Sequence, residues 1–366
     1  MKTVNNLFEK IIDVENIIEA IHRAAKGKKH KKNVQHILDN DRKAAEKLSY
    51  LLKTNQWHPA LIHKVKSIND GVGLKKREIV CPQFLNELVV QHAVIKVCQP
   101  YFMKKFYRYS CAAIPGRGVE FTIKHIRKAV RDYKNTKYFT TLDIRGFFNN
   151  ARPSKVFRQL RRIIRDKKVL RLFALMLRAN KVDSPTDGTI KRGMPIGFYN
   201  SQWFANILLT PLDHYVKSFG IKHYFRYNDD LLLFCSNKRK LKKVIIAIKE
   251  YLNKISLKLK NPPQIHRFSK VKIRYIGAII SPEKIILQEK VFLKACRSAR
   301  RISRKGKITV YDARKMLSYA ARFSHFDAHK AYIEKINSKV PKAKCRKIVS
   351  RHERRKNRCG INQVQP

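Results

Sequence analysis

Acidic residues are scarce in this sequence of 366 residues: 26 Asp and Glu stand against 82 Lys and Arg, for a formal net charge of +56. So lopsided a balance works against a compact state through self-repulsion unless a polyanion compensates it. Nucleic acid is the natural partner, because each phosphate neutralised releases condensed counterions. Long apolar runs are missing too. None approaches the ~18 residues of a membrane span, which sets the membrane aside as partner. Met1–Ile12, interrupted by Lys2, Glu9 and Lys10, lacks the continuous apolar core of a signal peptide, and a cytoplasmic location is expected. The cysteines are few, seven in all, odd in number and widely spaced, which excludes a disulfide framework and suggests reduced, partly buried thiols. Cys345, His352 and Cys359 lack the C-x-x-C pairing expected of structural zinc. No internal repeat is visible.

What is present reads as a globular chain. The apolar fraction is an ordinary 44%, and the length suits one body with two or three subdomains. Residues 1–60 read as helical, from Leu7, Ile11, Val14, Ile17, Ile18 and Ile21 and again from Leu48, Leu51 and Leu52. Between them runs Lys26-Gly27-Lys28-Lys29-His30-Lys31-Lys32, either a solvated loop or a phosphate contact. Ile62 to Val80 is strand-like, with a turn at Asn69-Asp70-Gly71. Helices are expected over Leu85 to Ile95, Val119 to Tyr133, Pro153 to Leu177, up to Leu212 after the break at Arg192–Gly197, and Leu241 to Leu257. Tyr138 to Ile144 and Arg274 to Ile280 read as strands, and Tyr224 to Cys235 as a hairpin around Asn228-Asp229-Asp230. Beyond Leu287 the chain reads as helical and basic, with Lys342 to Arg358 a flexible phosphate-binding tail. The alternation indicates an α+β fold.

Against so few acids, those set in apolar sequence stand out. Asp143 ends one β-like run, and Asp229 and Asp230 lie between Tyr224-Phe225 and Leu231–Phe234. Adjacent carboxylates among such neighbours are costly unless something positive neutralises them. Two magnesium ions ~3.5–4 Å apart, clamping the attacking and leaving oxygens of an in-line phosphoryl displacement, would do so. A plain hairpin turn is the alternative, since Asn and Asp favour turns.

The surrounding pattern resembles the palm of reverse transcriptases over roughly residues 60–290. Thr141-Leu142-Asp143-Ile144-Arg145-Gly146-Phe147-Phe148 is similar to that family's first metal-binding motif, and Phe225-Arg226-Tyr227-Asn228-Asp229-Asp230 to its aromatic-x-Asp-Asp box. Between them, Gly193-Met194-Pro195-Ile196-Gly197 with Ser201 and Gln202 resembles its helix-opening motif. The resemblance implies a right-hand polymerase fold. Its subdivision would be a basic helical extension over 1–60, fingers over 61–137, palm over 138–287 interleaved with the fingers, a short helical thumb over 288–340 and a basic tail over 341–366. It implies Asp143, Asp229 and Asp230 as catalytic, with Ile144 counted beside them in a site for two Mg2+ ions, Mn2+ being able to substitute. It implies a nucleotide site of Lys75, Arg77, Phe148, Ile196, Gly197 and Gln202. There Phe148 is an aromatic gate that excludes a ribose 2′-hydroxyl, and Arg77 is a phosphate clamp. Lys75 and Lys76 could equally be solvated charges, and Phe147 an ordinary core residue. Tyr275, Ile276 and Gly277 resemble a primer grip, and Lys26, Lys28, Lys29, Lys31 and Lys32 form the RNA-binding leader.

Within that family, Ile196 stands where most members carry Gln, and Gln202 follows Ser201. This I-G-x-x-x-S-Q form resembles the enzymes of diversity-generating retroelements, which copy a template RNA with errors opposite adenine. Loss of a polar contact at Ile196 would weaken discrimination by roughly 1–2 kcal/mol. Val90-Gln91-His92-Ala93 resembles that subgroup's fingers helix, and Ser318-Tyr319, Ser324-His325 and Ala331-Tyr332 its thumb. The implied partners are a structured template RNA, the RNA–DNA hybrid, deoxynucleotides and a small basic accessory protein oligomer. No zinc-ligand-rich nuclease segment follows the thumb, which suits a chain that only polymerises. Two departures stand out: Asn228 replaces the subgroup's usual Met or Ala, and Asn261–Ile265 lacks the lysine proposed to protonate pyrophosphate, leaving Lys258 or Lys260 as substitutes. The rival readings are a group II intron-like or phage-defence reverse transcriptase and a catalytically silent RNA-binding scaffold.

Overall fold

Buried apolar positions in the N-terminal part fall at the spacing of a helical face: Leu7, Phe8, Ile11 and Ile12, then Ile17, Ala20, Ile21, Ala24 and Ala25. The chain accordingly forms helices Phe8–Ile12, Val14–Ala25, Lys32–Asp39 and Asp41–Lys53. Asp13 caps the second by accepting from Asn16 N at 3.0 Å. Farther along the chain, Asp166 Oδ2 accepts from Leu7 N and Phe8 N at 2.8 and 3.0 Å and fixes where the first helix begins. This computed structural model describes residues 5–60, 63–69, 76–179, 182–183 and 191–361. The chain divides into two compact units, Met1–Gly118 with Thr140–Ile265, and Val119–Phe139 with His266–Pro366.

In the first unit the helices lead into an antiparallel hairpin, Lys64–Asn69 with Lys76–Cys81, in which Val65 faces Val80 and Ile68 faces Arg77. The expected turn residues Asp70 and Gly71 lie outside the described residues. A wide helical turn over Phe84–Val89 runs directly into helix Val90–Met103. The centre of the unit is helix Tyr199–Ser218, which buries Trp203, Phe204, Ile207, Leu208, Leu209, Leu212 and Val216. A helix apolar all round belongs in an interior. It packs against Val90–Met103, Pro153–Arg161 and Lys238–Lys254, and each such buried side chain contributes about 1.5–3 kcal/mol. Beside it lies a sheet in the order His223–Tyr227, Asp230–Cys235, Tyr138–Asp143. Leu231 to Phe234 are all buried, as expected of a strand covered on both faces. On the other edge, Arg226 N donates to Tyr109 O at 2.9 Å and Cys111 N to Arg226 O at 2.8 Å, so the segment around Ser110 joins as a short parallel bridge.

The second unit holds helix Val119–Val130 and the start of the shared strand, where Tyr138 pairs with Arg267 and Phe139 with His266. A three-stranded meander follows, Ile273–Tyr275, Ala278–Ile280 and Ile285–Leu287, and then helices Glu289–Arg304, Val310–Phe323 and Lys342–Ile361. Thr309 and Asp312 form a capping box at the start of Val310–Phe323. Asp327 links the parts by taking two hydrogen bonds from Arg127 Nη1 and one from Ile285 N at 2.8 Å.

Four expectations need correction. Arg274 to Ile280 is not one strand but a hairpin, because Tyr275 pairs with Ala278 across a two-residue turn, Ile276-Gly277. Pro153 to Leu177 is two helices, Pro153–Arg161 and Lys167–Ala179; Asp166 Oδ1 accepts from Lys168 N and Val169 N and so caps a new start. The helix expected to end at Leu212 runs on to Ser218, with Pro211 inside it. Lys342 to Arg358 is not a flexible tail but part of helix Lys342–Ile361. Cys345 and the preceding Val340 are buried, and the helix packs on Val310–Phe323.

Candidate active site

The acidic hairpin follows from its own sequence. Tyr224, Phe225 and Leu231–Phe234 are buried, and Tyr227 pairs with Asp230, leaving Asn228 and Asp229 as the turn. Asn228 adopts φ +56°, a left-handed conformation that Asn tolerates better than most non-glycine residues. The departure from Met or Ala at this position therefore has a local backbone reason. Asp143 ends the neighbouring strand, and Ile144 N donates to Asp229 O at 3.3 Å, which brings the two acidic segments together.

A third segment completes the group. Arg145 N donates to Lys258 O at 2.9 Å and Lys260 N to Asp143 O at 2.8 Å. This pairing carries the Lys260 ammonium to 2.9 Å from Asp143 Oδ2. Of the two lysines proposed as stand-ins for the missing acid, both exposed, it is Lys260 that stands on a carboxylate. The Asp230 carboxyl is pushed up to about 7, by burial first, then by the charges of Asp229 and Asp143, with Lys260 opposing. Among the described residues no three His, Cys, Asp or Glu side chains are gathered tightly enough to hold a metal ion by themselves. Magnesium needs only one or two carboxylates, the rest of its shell being water and substrate phosphate oxygens. The raised Asp230 marks negative charge that a divalent cation would relieve, so the donor set fits. Ile144, fully buried, can offer a metal only its backbone carbonyl.

The candidate nucleotide residues converge on one strip of backbone. Phe147 is buried at 1% exposure while Phe148 is half-buried, which separates the core ring from the one available to a ligand. Met194 N donates to Phe148 O at 2.7 Å, and Val80 N to Ile196 O at 2.8 Å. The Gly193–Gly197 strip is therefore held between the Phe148 segment and strand Lys76–Cys81, which carries Arg77. A Cβ at Gly193 would stand 2.5 Å from Asn149 O, and one at Gly197 2.1 Å from Val80 O; only glycine permits this approach. Of Arg77 only the backbone is described, and Lys75 lies outside the described residues. Gln202 lies in the first turn of Tyr199–Ser218; its Oε1 and the neighbouring Ser201 Oγ are buried and have no hydrogen-bond partner among the described residues.

A comparison with known proteins bears on these residues. The sequence profile described as reverse transcriptase (RNA-dependent DNA polymerase) matches residues 75–280, more than half of the chain. The chain belongs to the reverse transcriptase family. The matched span includes Asp143, Asp229, Asp230, Phe148 and the Gly193–Gly197 strip. The group II intron-encoded protein LtrA of Lactococcus lactis subsp. cremoris is similar, 24% identical over 177 residues, covering 48% of this chain and 29% of LtrA. The chain thus spans under a third of that curated relative. Among solved structures, telomerase from Candida albicans in complex with a TWJ fragment of telomeric RNA aligns with a TM-score of 0.46 at 14% identity, covering 66% of this chain and 49% of that one. Apo telomerase from Candida tropicalis aligns with a TM-score of 0.45 at 15% identity, covering 64% and 50%.

Other features of this reverse transcriptase were not evident from sequence. Gln91 Oε1 accepts from Tyr199 N at 2.9 Å, and the His92 ring stacks on Tyr199 at 3.8 Å, so two residues of the resembling helix fix the start of Tyr199–Ser218. Burial, with Lys28 and Arg23 adding to it, pulls His92 down to about 4, keeping the ring neutral at pH 7. Of the leader lysines, Lys26, Lys29, Lys31 and Lys32 are exposed, whereas Lys28 is turned inward and its ammonium donates to Ala24 O at 3.2 Å. Tyr275 is buried, and Ile276 and Gly277, both half-buried, form their hairpin turn in the second unit. Among the described residues no helix is long and apolar enough to cross a membrane.

Proposed function

We propose that this chain copies an RNA template into DNA by phosphoryl transfer at Asp143, Asp229 and Asp230. The observation that carries the reading is the adjacency of the two acidic segments, the end of strand Tyr138–Asp143 and the turn beside it, inside the span matched by the family. Asp143 and Asp229 would hold two magnesium ions, with Asp230 as the weaker carboxylate. When bound, such ions stabilise the attacking and leaving oxygens of an in-line displacement. Lys260 pairs with Asp143 and must yield part of that contact to the cation. Phe148 restricts the space beside the sugar, Arg77 binds phosphate, and the Gly193–Gly197 strip lets backbone approach the nucleotide. The Tyr275–Gly277 turn receives the primer end, and the exposed leader lysines contact RNA backbone. Fingers over 61–137, palm over 138–287 and thumb over 288–340 remain the subdivision that this reading implies.

The finer reading is a diversity-generating enzyme, error-prone at template adenines and working with a small basic accessory protein and a structured template RNA. It is supported by Ile196 and Gln202: the residue before Gly197 offers no side-chain hydrogen bond to a nascent base pair. The likeness to LtrA favours a second reading, a group II intron-like enzyme. Primer extension on RNA with magnesium and four deoxynucleotides, followed by sequencing of the product, separates them. Errors concentrated at adenines support the diversifying enzyme, and accurate synthesis supports the intron-like one. No synthesis, even with accessory protein and cognate RNA, sinks the polymerase reading.

A further inference from the structure

Arg226 has no part in that scheme, yet its side chain and that of Asp213 are both 0% exposed. Its Nε donates to Asp213 Oδ1 at 2.8 Å and its Nη2 to Asp213 Oδ2 at 2.7 Å. Nη2 also donates to Ser110 Oγ at 2.6 Å, and Nη1 to Asn206 Oδ1 at 3.0 Å and to the Asn228 carbonyl at 3.1 Å. The Tyr224 hydroxyl donates to Asp213 Oδ1 at 2.7 Å. The Arg226 backbone is itself held on both sides by Tyr109 and Cys111.

A buried ion pair is a poor source of stability, because desolvation commonly offsets the attraction and a well-packed apolar pair serves as well. What a guanidinium supplies is a rigid planar fork of donors. Here the fork spans three segments: helix Tyr199–Ser218 through Asn206 and Asp213, the Ser110 segment, and the acidic turn through the Asn228 carbonyl. That carbonyl belongs to the peptide that leads into Asp229, and Asn228 is in the left-handed region. We infer that Arg226 is a positioning residue, which sets the Asp229 carboxylate against Asp143 by fixing the Asn228–Asp229 peptide to the central helix. The inference rests on reading Asp229 as a metal ligand of the polymerase.

Arg226→Lys tests it, since a single ammonium can keep the pair with Asp213 but lacks the fork that reaches Asn228. The full chain is compared with the variant for melting temperature, RNA–DNA hybrid binding, primer-extension kinetics and Mn2+ binding by electron paramagnetic resonance without nucleic acid. Melting falls by several degrees, because buried acceptors lose their donors, but the variant is folded at the assay temperature and hybrid binding stays close to the parent. The kcat falls ~10–100-fold, the KM for deoxynucleotide changes little, and Mn2+ affinity drops several-fold, as a small misplacement of a reacting group produces. Unchanged kcat and unchanged Mn2+ affinity in a folded variant overturn the inference alone. A parent that neither binds Mn2+ nor extends primers overturns the polymerase reading and the inference with it. Should Arg226→Lys not fold, Ser110→Ala decides, because it removes one acceptor and leaves the charge pair intact. A several-fold lower kcat at constant KM then supports the role, and an unchanged kcat overturns it.

Discussion

Two hairpin turns, one in each unit, share a positive φ and differ in how firmly their surroundings hold it. Asn228 in the acidic turn and Ile276 in the Tyr275–Ala278 turn both have positive φ, at +56° and +44°. Asn is at home in that region, whereas a β-branched residue there is strained. The first turn is over-determined: its carbonyls are bonded by Arg226 and Ile144, and its flanking strands are buried. The second is held more lightly: Gly277 O accepts from Gln288 N at 2.9 Å and Tyr275 and Ala278 are buried, but nothing lies within 4 Å of where a Cβ on Gly277 would stand. A positive φ therefore carries different information in the two places. In one it falls on a residue that tolerates it, beside a carboxylate; in the other it is strain at a half-buried isoleucine, the kind of outlier that marks a candidate ligand contact.

The largest effect expected is at the acidic turn. Asp229→Ala abolishes DNA synthesis while RNA affinity, measured by filter binding, stays nearly unchanged; a variant that still extends primers would remove Asp229 from the metal site. Next comes the backbone beneath it. Asn228→Ala costs about 1–2 kcal/mol in denaturant unfolding and Asn228→Gly much less, because alanine keeps a Cβ at a positive φ without asparagine's tolerance of that region, whereas glycine has no Cβ. Equal losses would mean that the Asn side chain, not its φ, matters. At the second turn the sign reverses: Ile276→Gly stabilises by ~0.5–1 kcal/mol through strain relief, yet weakens primer extension at limiting primer. A variant both more stable and equally active would detach Ile276 from the primer. The smallest effect is on accuracy. Ile196→Gln lowers misincorporation opposite adenine several-fold by sequencing, in line with one polar contact of roughly 1–2 kcal/mol, and an unchanged spectrum would separate Ile196 from fidelity.

The acidic hairpin was legible because its two strands are apolar and its turn is not, and Asp143 because a β-run stops at it. Phe148 was set apart from the core ring of Phe147 only through the family resemblance, and the structure leaves Phe148 half-buried and Phe147 buried. Arg226 was not legible as more than a basic residue among many, in a chain with 82 Lys and Arg. Its partners Ser110, Asn206 and Asp213 are far from it in sequence and acquire meaning only when the sheet edge and the central helix meet. Lys260 was singled out only as a possible acid, and its pairing with Asp143 depends on a short antiparallel contact between Ile144 and Leu259. The C-terminal segment was misjudged because its charge outweighs its few apolar residues in composition, whereas burial of Cys345 and packing on Val310–Phe323 are enough to hold a helix.

The sequence by itself determined the family, the acidic motifs, the local alternation of strands and helices, and the need for a polyanionic partner, because each depends on residue type, spacing or total charge. Tertiary structure alone decided which cation meets which carboxylate. Lys260 stands on Asp143 and Arg226 on Asp213 and the Asn228 carbonyl, since contacts across strand edges and helix faces depend on register and crossing, which no single segment encodes. It also decided that the Gly193–Gly197 strip lies against Phe148 and Val80 within hydrogen-bond reach, a closeness set by two chain crossings and permitted by the missing side chains.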